Sequence, residues 1–232
     1  MRQYAVIVAG GSGSRMGGGL PKQFRSLLNR PILWWSLKAF HDENPSTSLI
    51  LVLPGQYISI WQEMFNTLPE EDQFNHKVIT GGATRSESVN NGLSLIEDED
   101  ALVAVHDAAR PLVSNNLIGR GWEEAEKAGA AIPVIPITDS LRKLMENGNS
   151  EWVERSRYVA VQTPQVFLTK VLKKAFESIS DSSVFTDEAS MVQSIGHSIS
   201  LFEGDLLNMK VTNPEDMDIA SLLMSKYRMI RE

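Results

Sequence analysis

Short apolar runs rich in β-branched residues alternate along this chain with longer stretches in which large apolar residues recur every three or four positions. The first pattern suits buried strands and the second amphipathic helices. Residues 4–8 (YAVIV) predict a strand, and residues 30–41, entered through Pro31, predict a helix. Residues 48–53 (SLILVL) predict a second strand closed by Pro54-Gly55, and 58–67 a helix. The rhythm continues with a strand at 77–80, a helix at 85–96, a strand at 101–105, a helix at 117–128 and a strand at 130–136. Such alternation predicts an α/β fold, a mostly parallel twisted sheet with helices on both faces.

Residues 138–161 break the rhythm. The turn signal Glu146-Asn147-Gly148-Asn149 divides two arms of mixed polarity, which reads as a hairpin projecting from the sheet. Trp152 and Tyr158 on such an arm would be exposed in a monomer, and a second copy of the chain is their natural cover. Beyond Thr163-Pro164-Gln165, helical patterns return at 168–179 and 187–194. A last long strand is expected at 198–203, a short one at 208–212 and a terminal helix at 214–229. With no repeats or low-complexity segments, the reading is one domain over residues 1–232, with 138–161 as its arm.

Composition narrows the chemistry. The formal net charge is −7 and no run of lysine or arginine occurs, which argues against a nucleic-acid partner. The chain has no cysteine, so disulfides, thiolate metal sites and cysteine nucleophiles are excluded. Its apolar stretches are far short of a membrane span, and the first strand begins almost at once with no signal-peptide pattern. The expectation is a cytoplasmic protein that does not bind membranes.

The densest chemical signal is residues 6–24, VIVAGGSGSRMGGGLPKQF. A strand runs into a glycine-rich loop that carries Arg15 and ends at Pro21-Lys22. Backbone N–H groups of such a loop can wrap a phosphate chain, and the two cations can neutralise charge developing on a moving phosphoryl or nucleotidyl group. The dinucleotide fingerprint fails because Met16 stands at its third glycine, and the Walker pattern fails because Lys22 follows Pro21 and precedes Gln23. Residues 105–111 (VHDAARP) end a strand with Asp107 and then Arg110. Ligands of open α/β sheets bind beyond the carboxyl ends of strands, so Asp107 is read as a ligand of Mg²⁺ bridging phosphate oxygens and Arg110 as a phosphate contact. His106 is read as a packed strand-end residue. Residues 81–89 (GGATRSESV) form a second strand-to-helix turn where Ser88 can meet a base, and where Thr84 or Ser86 caps the helix. Thr186 is read as a helix N-cap, and Lys210 stands on its short strand, where it can point inward or take the surface position usual for lysine.

Five ordered stretches, AGGSGSRM…PKQF, GGATRSESV, VHDAARP, AVQTPQVF with TDEAS, and NMKVTNPED, together resemble the 2-C-methyl-D-erythritol 4-phosphate cytidylyltransferase family over essentially the whole chain. The resemblance implies a Rossmann-like three-layer α/β/α nucleotidyltransferase fold, a homodimer built by the arm, CTP as substrate and Mg²⁺ as cofactor. Carried over by position, Ala9, Gly10, Gly11, Gly82 and Ser88 look like the cytosine pocket, with Asp107 and Ala108 beside the nucleotide. Arg15, Lys22 and Lys210 look like the catalytic cations and Asp107 the metal ligand. Arg110, Ser140, Arg155, Thr163 and Thr186 look like the polyol-phosphate site, with Arg155 reaching the partner subunit. Ala83 stands where the family often has Asp, and Ser140 where it often has Thr. The expected reaction is in-line displacement at the α-phosphorus of CTP, without a general base. Two other readings stay open at this point: ribitol-5-phosphate cytidylyltransferase, with the same mechanism and a different acceptor, and a nucleotide-binding module without turnover.

Overall fold

A computed structural model describes residues 1–10, 20–179 and 185–231, with backbone alone from 227 onward. Arg15 and Gly11 lie outside the described residues. Strand β1 (Gln3–Val8) is the centre of the sheet, pairing in parallel with β4 (Ser48–Leu53) on one side and β6 (Leu102–Asp107) on the other. Beyond β4 lies β5 (Lys77–Thr80), also parallel. With β7 (Ala130–Pro136), β10 (Val159–Val161) and β11 (Gln165–Leu168), the full order is β10-β7-β11-β6-β1-β4-β5, and β12 (Ser200–Glu203) runs parallel to β7.

The mostly parallel sheet expected from the alternation is therefore present, with one antiparallel insertion. Strand β11 (Gln165–Leu168) runs between β6 and β7 and opposes both. It falls partly on residues expected to open a helix at 168; that helix, α5, spans Thr169–Ser178 instead. The chain passes along β7 first as β10 (Val159–Val161), pairing Val161 with Val134, and then as β11, pairing Val166 with Ala131. Four residues, 162–165, thus lie opposite two, 132 and 133, and the extra length at Gln162-Thr163-Pro164 loops out toward the end of β6. Residues 208–212 form no strand. Val211 donates a single backbone hydrogen bond, 2.8 Å, to the Ala109 carbonyl, so no ladder develops.

Alternation along the central strands builds two cores. Ala5, Ile7, Leu49, Leu51, Leu53, Leu102 and Ala104 face helices α1 (Ile32–Glu43), α2 (Ile58–Asn66) and α4 (Asn115–Ala128). Val6, Val8, Ile50, Val52, Val103 and Val105 face α3 (Arg85–Leu93), α5 and α6 (Glu188–Ser194). This is the three-layer α/β/α arrangement. A smaller cluster, Leu27, Ile32, Val211, Ala220 and Met224, docks α7 (Pro214–Arg231) against the short hairpin of β2 (Ser26–Leu27) and β3 (Arg30–Pro31).

The arm is present as β8 (Arg142–Leu144) paired with β9 (Ser150–Trp152). Leu144 is 81% and Trp152 72% exposed there, and Tyr158, Val159 and Val161 beyond it are also exposed. Among the described residues, no helix is long and apolar enough to cross a membrane.

Candidate active site

Because β1, β4, β5 and β6 are parallel, their carboxyl ends open on one side, and the sequence motifs gather there. β1 delivers Ala9 and Gly10, β5 delivers Gly81 and Gly82, and β6 delivers Asp107 and Ala108. The backbone continues the sheet past the strands. Ala9 N–H donates to the Val52 carbonyl and Ala108 N–H to the Val8 carbonyl, both at 3.0 Å. Gln23 is buried and clamps the Ala9 carbonyl through Nε2 at 2.6 Å, which ties the start of the glycine loop to the turn carrying Lys22.

The turn after β5 is organised from within. Thr84 caps α3, accepting from the Glu87 N–H at 3.1 Å, while Glu87 accepts from the Ala83 N–H at 2.7 Å. This is a variant of the Thr-x-x-Glu capping box, in which the glutamate reaches one residue further back. Ser88 is buried; its hydroxyl donates to the Thr84 carbonyl at 2.9 Å and accepts from the Gly82 N–H at 3.1 Å. A Cβ at Gly82 would lie 2.3 Å from the Glu87 Cβ, and one at Gly81 would lie 2.7 Å from Ser88 Oγ. The glycines are thus required by the helix start itself, and the same bareness leaves backbone open to a flat ligand.

Asp107 is the electrostatic centre. Its Oδ2 meets Lys210 Nζ at 2.8 Å and Arg110 Nε at 3.7 Å, and its Oδ1 meets Arg85 Nε at 3.3 Å. Burial alone would raise the Asp107 pKa, but Arg85, Lys210 and Arg110 together hold it well below the usual carboxylate range. Arg110 Nη1 donates to the Asn208 carbonyl at 2.7 Å, and its buried Nε finds no hydrogen-bond acceptor among the described residues. Lys22, from the other end of the chain, donates through Nζ to the Val211 carbonyl at 2.7 Å, one residue from Lys210. Residues separated by most of the sequence therefore converge at one strand end. Lys22, Lys210, Arg110 and Arg85 around one carboxylate suit a phosphate chain carrying a hard divalent ion.

The 2-C-methyl-D-erythritol 4-phosphate cytidylyltransferase family model, IspD, matches residues 3–226 of this chain. The chain belongs to this family. The protein of that name from Bacteroides thetaiotaomicron is 43% identical over 226 residues, covering 97% of this chain and 100% of that one. The crystal structure of the enzyme of that name from Thermus thermophilus superposes with a TM-score of 0.72 at 32% identity, covering 96% of this chain and 98% of that one. A third likeness, to the 4-diphosphocytidyl-2C-methyl-D-erythritol synthase of Anaerococcus prevotii, has a TM-score of 0.82 at 22% identity, covering 97% and 96%, and bears on the fold alone.

Within this family site, the remaining sequence-predicted residues divide into three groups. Thr163 is buried and its hydroxyl is engaged twice, accepting from the Asp107 N–H at 3.2 Å and donating to His106 Nδ1 at 3.1 Å. His106 then presents an Nε2–H, which lies 3.4 Å from the Arg110 carbonyl. Burial, opposed by Asp107 and assisted by Arg110, lowers the His106 pKa to about 3, so the ring is neutral and structural, as its strand-end pattern suggests. Ser140 and Arg155 meet on the arm, lining a cavity of about 320 Å³ with Leu141 and residues 152–156; no residue of the Asp107 cluster lines it. Arg155 Nη1 donates to the Thr138 carbonyl. Thr186 is exposed, and the expected cap is displaced by one residue. Asp187 caps α6, accepting from the Ser190 N–H at 3.0 Å, because Gln165 Nε2 holds its other oxygen at 2.8 Å.

Sequence reasoning did not single out Arg85, Glu188, Gln162 or Asn208. Arg85 and Glu188 sit inside the GGATRSESV and TDEAS motifs, yet nothing in either says that the two side chains pair across 103 positions. Gln162 and Asn208 are buried amides. Gln162 Nε2 donates to the Asp205 carbonyl at 2.8 Å, and Asn208 Nδ2 to the Thr163 carbonyl at 2.8 Å, fixing the loop that carries Lys210 against the looped-out Thr163.

Proposed function

We propose that this chain transfers the cytidylyl group of CTP to the phosphate of 2-C-methyl-D-erythritol 4-phosphate, releasing pyrophosphate, as a homodimer that requires Mg²⁺. The observation that carries this reading is the Asp107 carboxylate at the carboxyl end of β6, held between Lys210, Arg110 and Arg85 beside the Gly82–Ser88 turn. Among the described residues no group of three acidic, histidine or cysteine side chains forms a cage for a metal. A single hard carboxylate fits Mg²⁺ all the same, because that ion completes its shell with water and substrate phosphates. Bound there, Mg²⁺ neutralises charge on the triphosphate.

The protein's own groups do the rest. The turn after β5 receives the cytosine against its glycines and Ser88. Lys22, Lys210 and Arg15 stabilise the charge that develops on the α-phosphate. Arg110 faces the acceptor phosphate with Thr163 and Thr186, and the partner's Ser140 and the partner's Arg155, which share one cavity on the arm, complete that site. An oxygen of the acceptor phosphate attacks the α-phosphorus, the new phosphorus–oxygen bond forms, and the bond to the bridging oxygen breaks in line. Its electron pair leaves with pyrophosphate. The attacking oxygen is already anionic near neutral pH, so the residues position and stabilise charge and no base is needed.

The test is pyrophosphate release from CTP and Mg²⁺, with methylerythritol 4-phosphate and ribitol 5-phosphate compared as acceptors. Rapid release with the first alone supports the reading. Preference for ribitol phosphate moves the acceptor and keeps the chemistry, and binding of CTP with release from neither overturns it.

A further inference from the structure

Arg85 opens α3 and touches two carboxylates. Its Nη1 donates to both oxygens of Glu188, at 2.6 and 2.9 Å, while its Nε reaches Asp107 Oδ1 at 3.3 Å. The Glu188 side chain is 0% exposed, on the first turn of α6. A carboxylate in that position is costly unless it is paired and held. Lys210 and Arg110, by contrast, face only Asp107 among the described carboxylates. The cluster therefore sets three cations against two carboxylates, and Arg85 is the cation the two acids share. Burial works against both charges: it pushes the Glu188 carboxyl up, opposed by the paired Arg85, while Glu188 and Asp107 hold Arg85 above its ordinary value.

We propose that Glu188 is a positioning residue that acts through Arg85, drawing its guanidinium away from Asp107 so that the Asp107 carboxylate stays available to a divalent cation on the nucleotide. The inference rests on the CTP and Mg²⁺ reading above. Without the Glu188 charge, three cations would face one carboxylate. Arg85 would turn its second N–H onto Asp107, and a divalent ion would approach a site one unit more positive. Geometry supports the division of labour. Glu188 holds Nη1 with both of its oxygens, at 2.6 and 2.9 Å, whereas Asp107 has Nε alone, at 3.3 Å.

The experiment uses the full chain with CTP and no acceptor, so that nothing turns over. Free Mn²⁺ is followed by electron paramagnetic resonance, and CTP binding without metal by calorimetry. Glu188→Gln is expected to raise the half-saturating Mn²⁺ concentration about tenfold, the scale of one charge lost roughly 10 Å from a divalent ion in a well-screened site. Metal-free CTP binding should hold or tighten, since the site has become more positive; a merely structural defect would weaken both. The double variant Arg85→Gln/Glu188→Gln removes one charge of each sign and should return the Mn²⁺ midpoint to within about threefold of the parent. The inference is overturned by an unchanged midpoint in Glu188→Gln, by loss of metal-free CTP binding in step with Mn²⁺, or by a double variant no better than the single one. If melting shows that Glu188→Gln does not fold, the double variant decides alone, and a tenfold weaker midpoint in it overturns the inference. A parent protein that binds no Mn²⁺ with CTP would overturn the nucleotidyl-transfer reading and this inference together.

Discussion

Lys22 and Lys210 come from opposite ends of the chain and meet across one peptide, Lys22 on the Val211 carbonyl and Lys210 on Asp107. Lys210 keeps 42% of its side chain exposed, and Lys22 is half-buried. Lys22→Ala is therefore expected to lower kcat by about two to three orders of magnitude, the usual cost of removing one preorganised donor from a developing oxyanion. Its melting temperature should stay close to that of the parent, and near-parental turnover would remove Lys22 from the catalytic set. These residues were legible because phosphate chemistry needs cations beside bare backbone, and Arg-Met, Pro-Lys-Gln and His-Asp-x-x-Arg at those spacings say so. The pairing of Arg85 with Glu188 was not legible. A charged residue in a motif reads equally as a surface residue, and only the folded chain brings α3 and α6 together. Thr163 was read as a substrate contact, and the structure adds a role that no local pattern encodes, as the hydroxyl between Asp107 and His106.

At the scale of elements, tertiary packing decided where local pattern misled. The helical pattern read over 168–179 starts one residue too early, and the strand Gln165–Leu168 before it carried no signal of its own; it forms because β6 and β7 lie on either side with open hydrogen-bonding edges. Residues 208–212 carry a strand-like pattern, and Val211 instead buries itself under α7. The long central strands and their helices were legible because both their faces are apolar and their ends are marked by glycine, proline and capping residues. Helix α3 shows how closely such layers fit. A Cβ at Gly92 would lie 2.5 Å from Val6 Cγ1 and 3.2 Å from Val52 Cγ2, so Gly92→Ala should overpack the seat of α3 on β1 and β4 and cost about 1–3 kcal/mol in urea unfolding. Activity should fall with it, since α3 carries the Gly82–Ser88 turn. A pH effect belongs here too, where α2 meets the approach to β5. Trp61 Nε1 donates to His76 Nε2 at 2.9 Å, and the other ring nitrogen donates to the Phe74 carbonyl at 3.0 Å, so the imidazole is neutral. Burial, partly opposed by that carbonyl, holds its pKa below the ordinary 6.5. The unfolded chain then binds the extra proton more readily than the folded one, and stability is lost as pH falls below that value. The parent should lose more stability than His76→Gln between about pH 7.5 and pH 5.5, since the amide can make both hydrogen bonds without titrating. Equal losses in the two proteins would sever His76 from the acid response.

For the whole molecule the arm sets the question of how many chains make one site. Ser140 and Arg155 share a cavity that none of the Asp107 cluster lines, and the arm around them exposes Leu144 and Trp152 almost fully. An arm that exposes Leu144 and Trp152 and holds Arg155 away from the Asp107 cluster is explained if each subunit lends that arginine to its partner. Mixing two inactive variants, Lys22→Ala and Arg155→Ala, tests this directly. In a mixed dimer, the site built on the intact Lys22 receives the intact Arg155 from the other chain, and the second site lacks both. After equal mixing and subunit exchange, half the dimers are mixed, each with one working site, so about a quarter of parental activity should return. If Arg155 served its own subunit, every site in the mixture would lack one residue, and no activity would return at any ratio. Sedimentation of the same samples separates that outcome from a failure to exchange. A Trp152→Ser variant, which removes apolar cover from the arm, should shift the dimer toward monomer and lower activity in proportion. Monomers with full activity would show that a single chain completes the site and that the arm serves some other contact.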